Sequence, residues 1–230
     1  KYIDEEALMK LIQRQGYLDF LRRNRNRPIV KVVSGIRRCG KSTLFRLFKD
    51  ELLSEGVKPE QIISINFEEL EYEHLRDYHA LYQYILERMQ PDQMNYIFLD
   101  EIQHVDQFHR VVDSLFVKEN TDLYITGSNA YFMSSDIATL LTGRYVEIQM
   151  LPLSFSEFYH SKYDVNQYSL IPAYESYLRE SSFPYTQQLG GEDFDIQEYL
   201  RGLYNTLLLH DVVARLKIND VTILQDIVRY

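Results

Sequence analysis

Gly35-Ile36-Arg37-Arg38-Cys39-Gly40-Lys41-Ser42 satisfies the spacing G-x-x-x-x-G-K-[ST], the pattern of a phosphate-binding loop. A polyphosphate needs several donors converging on its oxygens, and backbone N–H groups approach closely only where side chains are missing. That is the expected task of Gly35 and Gly40. Lys41 is placed to bridge the β- and γ-phosphates, and Ser42 to offer its hydroxyl to Mg²⁺. Thr43 opens the helix that follows, whose first-turn N–H groups and dipole favour an anion, and can donate to the α-phosphate. Ile36, Arg37, Arg38 and Cys39 complete the cradle. Arg37 and Arg38 either touch phosphate or pair with acids such as Glu68 and Glu69, and both readings stay open. Cys39 reads as a small filler, because no histidine lies nearby in sequence to activate it as a nucleophile.

A second group of residues could complete the chemistry. Asn95 to Leu99 is an apolar strand that delivers Asp100 and Glu101 at its C-terminal tip, 59 residues after Lys41. Ligands bind at such tips in open α/β sheets. Asp100 suits a magnesium ligand acting through water or the Ser42 hydroxyl; Glu101 suits a base that polarises water for in-line attack on a γ-phosphate. Gly127-Ser128-Asn129 ends another apolar run, where Asn129, and after it Ser128, could sense that phosphate; a plain turn is the alternative. Arg144, in Thr142-Gly143-Arg144, could neutralise transition-state charge in its own chain or across a subunit boundary, or could form a loop salt bridge. His104 and His109 are five apart and do not share a helical face, so no zinc is expected.

The elements that must position these groups alternate along the chain. Apolar strands are expected at Ile29 to Ser34, Ile62 to Phe67, Tyr96 to Leu99, Leu123 to Thr126 and Tyr145 to Met150. Helical periodicity falls at 5 to 22, from Thr43 to Gly56, at 75 to 89 and at 105 to 116. Nearly uniform apolar strands separated by helices imply a parallel sheet covered on both faces. After Pro152 the pattern becomes helical, beginning with the capping box Ser154-Phe155-Ser156-Glu157. We therefore expect a nucleotide domain over 1–162 and a helical region over 163–230. The chain begins at Lys1, and its last pattern (Val212, Leu216, Val221, Leu224, Ile227, Val228) has no stop signal. The natural polypeptide is expected to continue, with the helical C-terminal region truncated.

At 230 residues with 45% hydrophobic and 26% charged content, the chain can bury a full core. A single cysteine excludes an internal disulfide framework. No apolar stretch reaches membrane-spanning length and no signal peptide is visible, so a cytoplasmic location away from membranes is expected. The net charge of −9 argues against general nucleic-acid binding. It is unevenly spread: residues 1–50 carry +8 and the remainder −17. The run Arg22-Arg23-Asn24-Arg25-Asn26-Arg27 could meet DNA or an acidic partner, or could be a solvated helix end.

Taken together, GIRRCGKSTL, YIFLDEIQ, LYITGSNA, LLTGRYVEI and LPLSFSEF make the chain resemble the prokaryotic AAA-like ATPases that carry a C-terminal domain of unknown function. The resemblance spans essentially the whole chain. It implies an α/β fold of the ASCE P-loop type, with five parallel strands and one strand separating the two nucleotide motifs. It also implies adenine rather than guanine, and Glu101 in the catalytic glutamate position. The expected activity is Mg²⁺-dependent ATP hydrolysis coupled to conformational change. The alternatives are a nucleotide-dependent switch with little turnover, acting on DNA, a protein partner or a second copy, and phosphoryl transfer to a small molecule.

Overall fold

The computed structural model describes residues 12–128, 141, 143–164, 168–189 and 193–206. The chain divides into two compact units, Gln13–Leu151 and the described residues from Pro152 onward. The first contains β1 (Val30–Gly35), β2 (Ile62–Asn66), β3 (Asn95–Asp100), β4 (Thr121–Ser128) and β5 (Tyr145–Met150) in one sheet, ordered β2-β3-β4-β1-β5. All four pairings are parallel. The expected five-stranded parallel fold is therefore present, and β4 lies between the strand that feeds the phosphate loop and the strand that carries the acids.

The two faces of the sheet bury different side chains because alternate residues point to opposite sides. Val30, Val32, Ile63, Ile65, Ile97, Leu99, Leu123 and Ile125 form one core with α3 (Tyr78–Arg88) and α4 (Phe108–Phe116). Val33, Tyr96, Phe98, Tyr124 and Met150 form the other with α1 (Gln15–Asn24) and α2 (Lys41–Ser54). On that second face Phe98 stacks on Tyr124 with ring centroids 4.7 Å apart, and Phe45 of α2 meets Phe98 edge-on at 5.2 Å. This aromatic contact seats α2, and with it the loop that precedes it. Uniform strand burial holds for β1 and β3 but not for the edges: β2 and β5 alternate between covered and open positions, since each has a neighbour on one side only. The first helix begins at Gln15, later than the periodicity predicts, and the part of that pattern before residue 12 lies outside the described residues.

A buried ion pair fastens the end of the sheet opposite the phosphate loop. Lys31 on β1 and Asp122 on β4 are paired with both side chains fully buried. Tyr124 Oη donates to the same carboxylate at 2.7 Å and the Asn26 backbone N–H at 2.9 Å, while Lys31 Nζ also donates to Arg27 O at 3.0 Å. Burial pulls the Lys31 ammonium below the ordinary lysine range, and Asp122 opposes that pull. Removing one partner strands a charge. We expect Lys31→Met to lower the unfolding free energy by about 3–5 kcal/mol, and the double variant Lys31→Met with Asp122→Asn to cost less. Urea unfolding of the two proteins checks this, and equal losses would contradict it.

The second unit is helical in its described residues: α5 (Phe155–Lys162), α6 (Leu170–Glu180) and α7 (Asp193–Thr206). The predicted capping box is formed, with Glu157 N donating to Ser154 Oγ at 3.2 Å and Ser154 N to Glu157 Oε2 at 2.8 Å. The compact units part at Leu151 and Pro152. The reason is aromatic packing: Phe155 meets Tyr174 at 5.1 Å and Phe158 meets Tyr177 at 5.3 Å, which commits α5 to α6. The pattern from Val212 onward lies outside the described residues.

Candidate functional site

Gly35 ends β1, and Gly40, in the left-handed region at φ 104°, turns the loop into α2. A Cβ at Gly35 would stand 2.4 Å from Met150 O and 2.8 Å from Cys39 Sγ. The glycine therefore makes room for β5 and the loop's own thiol. Cys39 is fully buried and burial pushes its thiol up from the usual range, which suits a packing role and not a nucleophile. Arg38 is exposed with φ 64°, and Arg37 pairs with Glu68 at 2.5 Å. Of the two readings open for Arg37, the acid pair is the one seen.

Lys41, the first residue of α2, is buried and turned back over the loop. Its Nζ donates to Gly35 O at 3.1 Å and Ile36 O at 3.3 Å, and stands 3.1 Å from Glu101 Oε1. The loop lysine and the second acid thus meet directly, both nearly excluded from solvent. Glu101 reaches this position from a left-handed backbone at φ 54°, and its N–H donates to Thr126 Oγ1 at 2.9 Å. Gln103 Nε2 donates to its other carboxylate oxygen, Oε2, at 2.5 Å.

Asp100 ends β3 beside this pair. The Thr126 hydroxyl donates to Asp100 Oδ1, and the Ser42 hydroxyl lies near enough to the same carboxylate to favour its charged form. Burial pushes the Asp100 carboxyl above the ordinary range. The two hydroxyls hold it down in part, the charge of Glu101 raises it and that of Lys41 lowers it. Such a carboxylate, paired with a hydroxyl at the start of α2, is an oxygen donor set suited to a hard divalent cation. Among the described residues no three His, Cys, Asp or Glu side chains gather into a metal cage. Magnesium sites completed by phosphate oxygens do not need one.

Two residues that the sequence reading passed over help build the site. Thr126 occupies the middle strand, and the register Val33↔Thr126 with Leu99↔Ile125 brings it level with the tips of both motif strands. Its hydroxyl serves Asp100 and the Glu101 backbone at once. A polar residue closing the apolar run Leu123-Tyr124-Ile125 was the available signal. Arg14 is buried just before α1, donates to Cys39 O at 3.2 Å and Leu151 O at 2.7 Å, and stacks over Tyr17 at 4.4 Å. It ties the phosphate loop to the exit of β5, and no local motif announced it.

The remaining candidates fall elsewhere. Asn129 lies outside the described residues, although Ser128, where β4 ends, is level with Gly35. Arg144 precedes β5, whose register pairs Tyr145 with Val30 and Met150 with Gly35. That puts it at the opposite end of the sheet from the loop, about 20 Å away at the rise of a parallel strand. There it is half-exposed, 3.8 Å from Asp113 and over the Phe116 ring at 5.4 Å. It does not join the site of its own chain. Of the N-terminal arginines, Arg22 binds Glu51 through two 2.7 Å hydrogen bonds and Asp19 through one of 2.6 Å, while Arg25 pairs with Glu55. These cations are committed to acids of the same chain.

Comparison with known proteins agrees with this geometry. A family model described as an AAA domain matches residues 27–159. An uncharacterized protein of Haemophilus influenzae is 38% identical over 96% of this chain and 55% of its own length. The chain spans about half the length of the curated relatives it matches. Among solved structures, the Walker-type ATPase PABY2304 of Pyrococcus abyssi aligns with TM-score 0.56 and 17% identity over 86% of this chain and 73% of its own. The ORC1 protein of Aeropyrum pernix, solved in complex with DNA, aligns with TM-score 0.52 and 12% identity over 89% and 70%. At such identities these two establish the fold alone. No described helix is long and apolar enough to cross a membrane. With more than half of its length matched by that model, the chain belongs to the AAA domain family of nucleotide-binding P-loop proteins.

Proposed function

We propose that the protein binds ATP together with Mg²⁺, hydrolyses the β–γ phosphoanhydride and converts that event into a conformational change. The observation that carries the reading is the 3.1 Å approach of Lys41 Nζ to Glu101 Oε1, beside the Ser42–Asp100 pair. A triphosphate entering the loop meets the backbone N–H groups of residues 36 to 43 and the start of α2, and offers Lys41 a more highly charged partner than Glu101. Lys41 then moves to the phosphates, and Glu101 is released to accept a proton from water. Ser42 and Asp100 would hold the cation, which when bound neutralises charge on the phosphate oxygens. The link to motion is this exchange of partners, because it is felt on β1, β3 and, through Thr126, β4.

Arg144 would act, on this reading, only on nucleotide held by a second copy. The decisive experiment is phosphate release by the full-length protein with ATP and Mg²⁺. Release should stop when EDTA removes the metal, should rise per chain with protein concentration, and should lose that rise in Arg144→Ala. At ATP concentrations 100-fold above Kd, binding should add about 2.7 kcal/mol of stability, read as a higher Tm. A raised Tm with no phosphate release would favour the switch without turnover.

A further inference from the structure

Gln103 follows Glu101 by two residues in the short 3₁₀ turn Ile102–His104. The turn is anchored, since Ile102 is fully buried and the N–H groups of His104 and Val105 donate to Glu101 O at 3.2 Å and Ile102 O at 2.9 Å. From it the Gln103 amide donates through Nε2 to Glu101 Oε2 at 2.5 Å. The other end of the same amide, Oε1, is buried and accepts no hydrogen bond from the described residues. The amide cannot be reversed, because two oxygens would then face each other at the same separation. An acceptor buried without a protein partner beside a candidate base is costly, and buried groups of this kind call for an explanation in function.

We propose that Gln103 is the second holder of the attacking water. Its Nε2 positions the Glu101 carboxylate, and its Oε1 accepts one hydrogen of the water while Glu101 Oε1 accepts the other. The inference rests on the ATP-hydrolysis reading above and adds a residue to it. In the structure both Glu101 oxygens are engaged, one by Lys41 and one by Gln103. When Lys41 turns to phosphate, Oε1 is freed and Oε2 stays held, so the carboxylate keeps its orientation as it gains a vacant acceptor. The water oxygen bonds to the γ-phosphorus, and the bond from that phosphorus to the β–γ bridging oxygen breaks with its electron pair leaving on ADP. One water proton passes to Glu101 and then to solvent; the other stays on the released phosphate.

The test compares wild type, Gln103→Leu, Glu101→Gln and the double variant in the full-length protein. Steady-state phosphate release is measured along with binding of a non-hydrolysable ATP analogue and of ADP with aluminium fluoride. Gln103→Leu should lower kcat about 10- to 100-fold, at or below the usual yield of a positioned proton-transfer group. KM and analogue affinity should stay within about threefold, whereas affinity for the aluminium fluoride complex should fall in parallel with kcat. Added to Glu101→Gln, the leucine should cost little more, since the two residues act as a unit. Gln103→Met replaces the leucine variant if that protein does not fold. An unchanged kcat, equal weakening of both nucleotide complexes, or multiplying losses in the double variant would each overturn the proposal. If wild type releases no phosphate, the hydrolysis reading fails and this inference falls with it. If wild type turns over and Gln103→Leu matches it, only the role of Gln103 is lost.

Discussion

Glu101→Gln should slow phosphate release about 100- to 1,000-fold while the protein still binds nucleotide. Among the described residues its carboxylate stands directly beside the loop lysine: Oε1 is 3.1 Å from Lys41 Nζ and the backbone N–H is held by Thr126. An amide keeps the shape and can still accept from Lys41, but it is too weak a base to polarise water. It also competes less strongly for the lysine, so the affinity for a non-hydrolysable ATP analogue should rise. Titration calorimetry of the analogue and phosphate release from the same preparation read the two effects separately. Equal turnover in wild type and variant would remove Glu101 from the chemistry.

Lys41→Met should act on the other side of the balance and weaken nucleotide binding roughly 100-fold, the loss of one or two charge-assisted hydrogen bonds to phosphate. Stability complicates this variant. Glu101 is 6% exposed, and without the ammonium its carboxylate is left buried with less compensation, so the single variant should also melt earlier. The double variant Lys41→Met with Glu101→Gln should recover the Tm and not the binding. Recovery of both would mean that the lysine serves folding alone, whereas recovery of neither would place the damage elsewhere in the loop.

Legibility differed sharply across the molecule. The phosphate loop and the acid pair could be read because each is local: fixed spacing in one case, carboxylates closing an apolar strand in the other. The alternation of strands and helices conveyed the parallel sheet, and the order that places β4 in the middle came from family resemblance and agrees with the pairing. Register could not be read in advance, and register decides Arg144. Its place before β5 looks adjacent to the chemistry on paper, yet the pairing of Tyr145 with Val30 carries it to the other end of the sheet. The partners of Thr126 and Arg14 become legible only after folding, because they lie 26 and 25 residues away, although the polar Thr126 at the end of an apolar run was itself a signal. Lys31 illustrates a different limit: a charge inside an apolar strand contradicts the pattern, and only Asp122 on the neighbouring strand explains it.

The lysine that clasps its own loop has a consequence for the cradle itself. Because Lys41 is already neutralised by two carbonyls and Glu101, the cradle needs no borrowed anion to remain formed. An incoming nucleotide must evict an internal counterion, which moderates its grip, and a departing one finds that counterion waiting. On the proposed reading, such a cradle suits repeated loading and unloading rather than permanent occupancy.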